Sequence, residues 1–73
     1  MARHFSGQRL RDARTAAGLT VEQLALSVGR SFYSISAYER GRATPPVSMV
    51  ASLADAVGRC VEDLLAEEAS HAA

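Results

Sequence analysis

Residues 19–45 read LTVEQLALSVGRSFYSISAYERGRATP, and this stretch decides the fold. Thr20 is followed three residues later by a glutamine, and this capping-box pattern predicts that a helix starts there. Gly29 is the residue type that best adopts the left-handed conformation in which many helices end. Ser31 is a good N-cap for a second helix, and Gly41 predicts where that helix stops. The stretch therefore predicts two short helices joined by a tight turn.

The apolar positions within the stretch indicate how the two helices pack. Leu24 and Val28 fall on one face of the first helix, and Ile35 and Tyr38 fall on one face of the second. Two helices joined by a three- or four-residue turn that contains glycine form a helix-turn-helix motif. In such a motif the second helix, here about residues 32–40, can enter the major groove of DNA.

The rest of the chain predicts three more helices and no strand. The first helix of the chain is expected over Gly7–Ala17, with Leu10, Ala13 and Ala17 facing inward. The fourth is expected over Val47–Val57, with its inward face formed by Val47, Val50, Ala51, Ala54 and Val57. The fifth is expected after Cys60, with its inward face formed by Val61, Leu64 and Leu65. The predicted fold class is all-α, a compact bundle of five short helices.

A length of 73 residues allows one small domain with a modest core, because such a chain buries only about 60% of its unfolded surface. We expect residues 1–6 to form a flexible N-terminal arm, residues 7–68 to form the helix-turn-helix domain, and residues 69–73 to fray as a tail. Arg3 and His4 in the arm can alternatively contact a phosphate group.

The formal net charge of zero conceals a strong asymmetry between the two halves. Residues 1–45 carry seven arginines against three acids, a balance of +4, whereas residues 46–73 carry one arginine against five acids, a balance of −4. Such asymmetry indicates an oriented electrostatic face, although charge clusters are also common on ordinary solvated surfaces. All the basic side chains other than histidine are arginine, which suits phosphate geometry well.

Several classes of protein find no support in the sequence. No apolar run approaches the roughly 20 residues that span a membrane, and no secretory signal opens the chain, so we expect a cytoplasmic protein. The cysteine and histidine spacing fits no metal site, no glycine-rich loop suits a nucleotide, and no nucleophile lies beside a base. We therefore expect no enzyme activity, no cofactor and no metal. Cys60, the only cysteine, is interpreted as a capping or packing residue, with redox sensing as the alternative.

Six short motifs follow one another along the chain. They are L-x-x-x-R at Leu10–Arg14, GLT-x-x-x-LA at Gly18–Ala25, G-x-S at Gly29–Ser31, IS-x-YE-x-G-x-x-x-P at Ile35–Pro45, LADAVG at Leu53–Gly58 and V-x-DLL at Val61–Leu65. Together, in this order and without gaps, they resemble the lambda-repressor-like, or Cro/XRE-type, helix-turn-helix family of DNA-binding proteins. The resemblance covers about Leu10 to Leu65.

The resemblance implies three groups of site residues. In this family an arginine late in the first helix pairs with the glutamate that closes the recognition helix, and these residues are Arg14 and Glu39 here. Contacts to DNA phosphates are implied for the start of the second helix, the turn, and the loop after the third helix: Thr20, Val21, Arg30, Ser31, Arg40 and Arg42. Reading of bases is implied for the exposed face of the third helix: Phe32, Tyr33, Ser36 and Ala37.

The base-reading positions depart from the family pattern, which often has Gln, Arg, Asn or Ser there. Phe32 and Ala37 cannot form the directional hydrogen bonds that distinguish base pairs and can only meet thymine methyl groups. Specificity should therefore be modest or depend on DNA shape. Phe32 can alternatively fold back over the second helix as a core residue.

Together these features predict a sequence-specific transcriptional regulator that binds double-stranded DNA as a homodimer on a palindromic site. The dimer contact is expected at the fifth helix and the Gly58–Cys60 turn. The alternative is a protein-interaction module that uses the apolar face of the third helix to bind a protein partner, since exposed apolar patches mark interfaces.

Overall fold

Four α-helices, one 3₁₀ helix and two short strands make up the fold in the computed structural model, which describes residues 3–67. In chain order these are β1 (Arg3–Phe5), α1 (Gly7–Ala16), α2 (Val21–Val28), α3 (Phe32–Glu39), α4 (Val47–Ala56), the 3₁₀ helix (Val61–Leu64) and β2 (Leu65–Glu67). The fold is thus mostly helical with a helix-turn-helix, as predicted. The expectation of five helices and a purely α fold is wrong at both ends of the described chain.

A single core holds α1 to α4 and the 3₁₀ helix together. The side chains that solvent does not reach at all come from each of these five elements: Leu10, Leu24, Ile35, Leu53 and Leu64. Alanines occupy several of the remaining core positions, which lets short helices approach closely. Since each of the five elements contributes one fully buried residue, the core holds α2 and α3 against the rest of the domain.

The buried face of α4 differs from the prediction. Met49 and Leu53 are buried together with Val50, Ala54 and Val57, whereas Val47 and Ala51 are exposed. The physical reason is the position of the first turn: the N-cap Pro46 is extended, with φ −60° and ψ 159°, so that Val47 is the first helical residue and points to solvent. Ala17 is also exposed, because α1 ends one residue earlier than expected.

The predicted fifth helix is instead a single 3₁₀ turn followed by strand β2. The turn begins where the Cys60 backbone N–H donates to the Asp63 carboxylate at 3.1 Å. Leu64 is then fully buried, and Leu65 turns to extended backbone with φ −106° and ψ 145°. The chain leaves the helical path here because Leu65–Glu67 pairs with another strand, which short-range periodicity cannot indicate.

That partner is β1, within the segment that was expected to be a flexible arm. The two strands are antiparallel, with Arg3 opposite Glu67 and Phe5 opposite Leu65. The Phe5 ring also packs edge-on against Tyr38, with ring centroids 6.4 Å apart. Pairing with β2 and packing against Tyr38 give Arg3–Phe5 a defined structure, so the prediction of a flexible arm is wrong for these residues. The predicted tail at 69–73 lies outside the described residues.

Helix α1 starts in direct contact with the end of α3. Ser6 caps α1 by accepting a hydrogen bond from the Arg9 backbone N–H at 3.2 Å. The next residue, Gly7, lies so close to α3 that a Cβ atom placed on it would overlap the carbonyl oxygens of Tyr38 and Glu39. Glycine is therefore required at this position by the approach of two backbones.

Candidate nucleic-acid interface

The start of α2 is fixed by a reciprocal pair of hydrogen bonds. The Thr20 hydroxyl accepts from the Gln23 backbone N–H at 3.1 Å, and the Gln23 side chain accepts from the Thr20 N–H at 2.8 Å. The backbone N–H groups of Val21 and Glu22 have no partner within the helix, as at any helix start. A helix start attracts anions, because its free N–H groups and its dipole both present positive charge.

The turn between α2 and α3 is closed by Gly29 in the left-handed conformation, with φ 70°. The Arg30 N–H donates to the Ala25 carbonyl at 3.0 Å, which satisfies one of the free carbonyls at the end of α2. Ser31 then caps α3, its hydroxyl accepting from the Ser34 N–H at 3.1 Å. These bonds fix the relative orientation of the two helices, and they leave the Arg30 side chain exposed.

Helix α3 has a buried face and an open face. Ile35 and Tyr38 are buried in the core. The predicted base-reading positions lie on the other side, at i, i+1, i+4 and i+5: Phe32, Tyr33, Ser36 and Ala37. Tyr33 is 80% exposed and Phe32 is 44% exposed, and their rings contact edge-to-face at 5.7 Å between centroids. Phe32 is therefore an exposed residue of this face and does not belong to the core, which decides the alternative that the sequence left open.

The end of α3 directs two arginines outward. Gly41 adopts φ 75°, its N–H donates to the Tyr38 carbonyl at 3.2 Å, and the Arg42 N–H donates to the Ala37 carbonyl at 2.9 Å. This pair of bonds is the Schellman motif, and it fixes the backbone of Arg42 against the helix end. The side chains of Arg40 and Arg42 are both exposed. A defined backbone with exposed guanidinium groups suits contact with phosphates.

Arg14 and Glu39 form the ion pair that the family resemblance implied. The guanidinium donates to both carboxylate oxygens, at 2.6 Å and 3.1 Å, and to the Leu19 carbonyl at 2.7 Å. The two side chains are 13% and 7% exposed, so the pair is largely buried between α1 and α3. The hydrogen bonds to Glu39 raise the pKa of Arg14 above its already high ordinary value, and the arginine stays charged wherever the protein folds.

A depression of about 230 Å³ brings together residues from three helices. Four of the predicted DNA contacts line it, together with the ion pair: Val21, Phe32, Ser36, Arg40, Arg14 and Glu39. Its seventh lining residue is Arg11, which the sequence interpretation did not select. The signal that could have found Arg11 is its position three residues before Arg14, which puts the two on the same side of α1.

The other predicted phosphate contacts lie around this depression and do not line it. Arg30 borders a second, mainly apolar depression on the α2 side, where it meets Phe32 and the exposed Leu26. Thr20 and Ser31 are exposed caps whose hydroxyl oxygens accept backbone hydrogen bonds. The Thr20 hydroxyl keeps its hydrogen for a further partner, whereas the Ser31 hydroxyl donates to the Ser34 hydroxyl at 3.1 Å.

Other kinds of site receive no support from residues 3–67. Within this range, no group of three or more His, Cys, Asp and Glu side chains could hold a metal ion. Nor is any helix in the described range both long and apolar enough to cross a membrane. Cys60 is exposed and is the N-cap residue of the 3₁₀ helix, in agreement with its interpretation as a capping residue.

Comparisons with known proteins agree with this geometry. A family model described as a helix-turn-helix domain matches residues 7–67. The restriction-modification controller protein C.AhdI from Aeromonas hydrophila is 36% identical, over 80% of this chain and 88% of its own, with a TM-score of 0.76. The clp gene regulator ClgR from C. glutamicum is 34% identical, over 80% of this chain and 75% of its own, with a TM-score of 0.75.

A third similar structure is the P22 c2 repressor in complex with a synthetic operator. It is 28% identical, over 80% of this chain and 88% of its own, with a TM-score of 0.75. No curated protein matches the sequence. Because the family model covers most of the chain, and because α2, the turn and α3 have the geometry described above, the chain belongs to the lambda-repressor-like, Cro/XRE-type helix-turn-helix family.

Proposed function

We propose that this protein is a transcriptional regulator that binds duplex DNA through α3. The observation that carries the proposal is the arrangement of α3, whose open face is bordered by exposed arginines while Ile35 and Tyr38 hold its other face in the core. Similarity to a controller protein, to a gene regulator and to a repressor in complex with an operator supports it. Members of such families are typically not enzymes.

The proposed contacts to the phosphate backbone come from two parts of the chain. The start of α2 and the turn supply the Thr20 hydroxyl, the Val21 N–H, Arg30 and Ser31, and the end of α3 with its loop supplies Arg40 and Arg42. Contacts of this kind set the position of a protein on DNA but carry no sequence information directly. They also make binding strongly dependent on salt, because each neutralised phosphate releases condensed counterions.

Base reading would fall to Phe32, Tyr33, Ser36 and Ala37. Tyr33 and Ser36 can each supply a hydrogen bond to a base edge, whereas Phe32 and Ala37 can contact only thymine methyl groups. We therefore propose a site preference that is modest in strength and sensitive to thymine content. The sequence-dependent shape of DNA would supply part of the discrimination.

The proposal includes a homodimer on a palindromic site, because one module of this size makes few DNA contacts. Two α3 helices would then lie about 34 Å apart, one helical turn of DNA. The dimer contact proposed for the fifth helix now falls on the 3₁₀ helix and the Gly58–Cys60 turn. A cytoplasmic location is also proposed, because chromosomal DNA lies there in bacteria such as the sources of the two regulators above. The comparisons do not favour the alternative of a protein partner.

Selection of bound sequences from a random pool of duplex DNA tests this function. We expect enrichment of a thymine-containing motif with two-fold symmetry and half-sites about 10 base pairs apart, centre to centre. Enrichment of a single half-site would contradict the dimer but not the DNA-binding activity. Absence of detectable binding to the pool at low salt would show that the proposed function is wrong.

Replacing Arg42 by alanine tests the phosphate contacts. Removal of one phosphate contact is expected to weaken binding about equally for all sequences and to reduce the slope of log K against log salt concentration by about one. Fluorescence anisotropy with a labelled duplex over a series of KCl concentrations measures the slope. Arg9→Ala is the matched control, since Arg9 is an exposed arginine of α1 outside both depressions of the site. Equal salt slopes for Arg42→Ala and Arg9→Ala would show that Arg42 does not contact a DNA phosphate.

A further inference from the structure

Arg11 and Arg40 face the same depression from two different helices. Arg11 belongs to α1 and Arg40 follows the last residue of α3, and both line the depression of about 230 Å³ described above. The Arg14–Glu39 pair lies in the same wall. Because the carboxylate of Glu39 is already neutralised by Arg14, the charge that the depression presents comes from Arg11 and Arg40.

Within residues 3–67, no acidic side chain pairs with either of these two arginines. Among the described residues, neither guanidinium forms a hydrogen bond or a salt bridge, and both side chains are exposed. No acidic residue stands three or four positions from Arg11 along α1. Asp12, the adjacent acid, accepts a hydrogen bond from Gln8 at 2.9 Å instead. Two like charges kept near each other without a counterion favour binding of an anion.

A hydroxyl group completes the set of donors. Ser36 lines the depression, is partly buried, and has a side chain that makes no hydrogen bond within residues 3–67. This distinguishes it from Ser27 and Ser52, whose hydroxyls donate to the carbonyl four residues earlier in their own helices. The Ser36 hydroxyl can therefore donate to a ligand that occupies the depression.

We propose that this depression is a binding site for one phosphodiester group of the DNA backbone, held between Arg11 and Arg40. The inference rests on the proposed function and adds α1 to the interface. Guanidinium groups suit the ligand because each presents a planar fork of donors to two phosphate oxygens. The Arg14–Glu39 pair contributes by keeping the carboxylate neutralised, since an unpaired Glu39 would repel the phosphate. In this arrangement the Ser36 hydroxyl donates to the phosphate, which revises the base-reading role proposed for it above and leaves Tyr33 to supply a hydrogen bond to a base edge.

Arg11→Ala tests the site, with binding measured on the duplex selected from the random pool. The loss of one charge-assisted contact is expected to weaken binding about tenfold at moderate salt and to reduce the salt slope by up to about one. Arg11→Lys keeps the charge and should retain most of the slope. Arg9→Ala removes the same charge from another side of α1, next to Asp12 and Asp63, and should bind as the unchanged protein does.

A neutral methylphosphonate, placed at one backbone position at a time in the duplex, identifies the phosphate itself. One position should weaken binding of the unchanged protein and of Arg9→Ala, but should have a clearly smaller effect on Arg11→Ala, because one of the two arginines that hold this phosphate is already absent. Circular dichroism establishes that each variant is folded, and Arg11→Gln replaces Arg11→Ala if the latter is not.

The results separate this inference from the proposed function. If the unchanged protein binds DNA and Arg11→Ala matches Arg9→Ala in affinity and slope, the phosphate site is wrong and the function stands. The site is also wrong if every methylphosphonate position affects Arg11→Ala and the unchanged protein equally. If the unchanged protein does not bind the DNA pool at all, both proposals fail.

Discussion

Replacing Glu39 by alanine is expected to lower the free energy of unfolding by about 3–5 kcal/mol. The reason is that Arg14 would remain largely buried with its charge uncompensated, since the side chains of Arg14 and Glu39 are only 13% and 7% exposed. In a domain of this size each kcal/mol shifts the melting temperature by about 4–8 °C, so the expected decrease exceeds about 10 °C. Thermal unfolding followed by circular dichroism measures it.

Two further variants separate the stranded charge from other effects of the substitution. Glu22→Ala removes an exposed acid at the start of α2 and should change stability by about 1 kcal/mol or less. The double variant Arg14→Met, Glu39→Met removes both charges and should recover much of the loss, because an apolar pair of similar volume can replace a buried ion pair. Equal melting temperatures for Glu39→Ala and Glu22→Ala would mean that the pair is open to solvent.

Replacing Gly7 by alanine is also expected to lower the free energy of unfolding, which is unusual for a glycine-to-alanine change in a helix. Alanine in a helix normally gains up to about 1 kcal/mol over glycine. Here the added methyl group would overlap the carbonyl oxygens of Tyr38 and Glu39, which belong to the backbone of α3 and cannot rotate away. We expect a loss of about 3 kcal/mol, at the upper end of ordinary overpacking, measurable by urea denaturation.

Gly18→Ala is the informative comparison for Gly7. Gly18 has φ 75° and open space around its Cα, so alanine there is opposed only by backbone conformation, at about 1–2 kcal/mol. From the sequence alone, Gly18→Ala would be expected to cost more stability than Gly7→Ala, because Gly18 stands at a helix end and Gly7 at a helix start, where alanine is usually accepted. A Gly7→Ala variant as stable as the unchanged protein would show that α1 and α3 do not approach as closely as described.

Local signals in the sequence were sufficient for the central part of the fold. Thr20 with Gln23, Gly29 and Ser31 each act within four residues, and the hydrogen bonds that they form are the ones their spacing predicts. Ile35 and Tyr38 follow helical periodicity and are buried. Short-range chemistry of this kind is independent of the rest of the chain, which is why it could be predicted.

The two ends could not be predicted because their structure depends on a partner far away in the chain. Leu64 and Leu65 fit a helical pattern, yet Leu65–Glu67 is extended because it pairs with β1. Phe5 has no periodic neighbours, and its order comes from Leu65 and from the ring of Tyr38. The inward face of α4 was misplaced for a similar reason, since only the path of the chain through Pro45 and Pro46 decides which side of Val47 meets the core.

The family resemblance proposes the residues of the candidate site one by one, but the surface that they form depends on the tertiary structure. The sequence pattern proposed Val21, Phe32, Ser36 and Arg40 for separate reasons, and the structure brings them to one depression. The spacing of Arg11 from Arg14 puts the two on one side of α1, but Arg11 becomes part of the site only because α1 approaches α3, which the sequence does not show. Phe32 was left undecided because aromatic residues at the start of a helix occur both in cores and at interfaces.

The short sheet has a consequence for how the chain reaches this fold. β1 and β2 join residues about 60 positions apart, and closing a loop of that length costs about 3–4 kcal/mol of chain entropy. The contacts between α2 and α3 span far fewer residues and can form while the ends are still apart. The helix-turn-helix is therefore the part whose assembly needs the least chain closure. Separating the two strands would return this entropy to the ends of the chain, and the hydrogen bonds that close the turn between α2 and α3 involve neither strand.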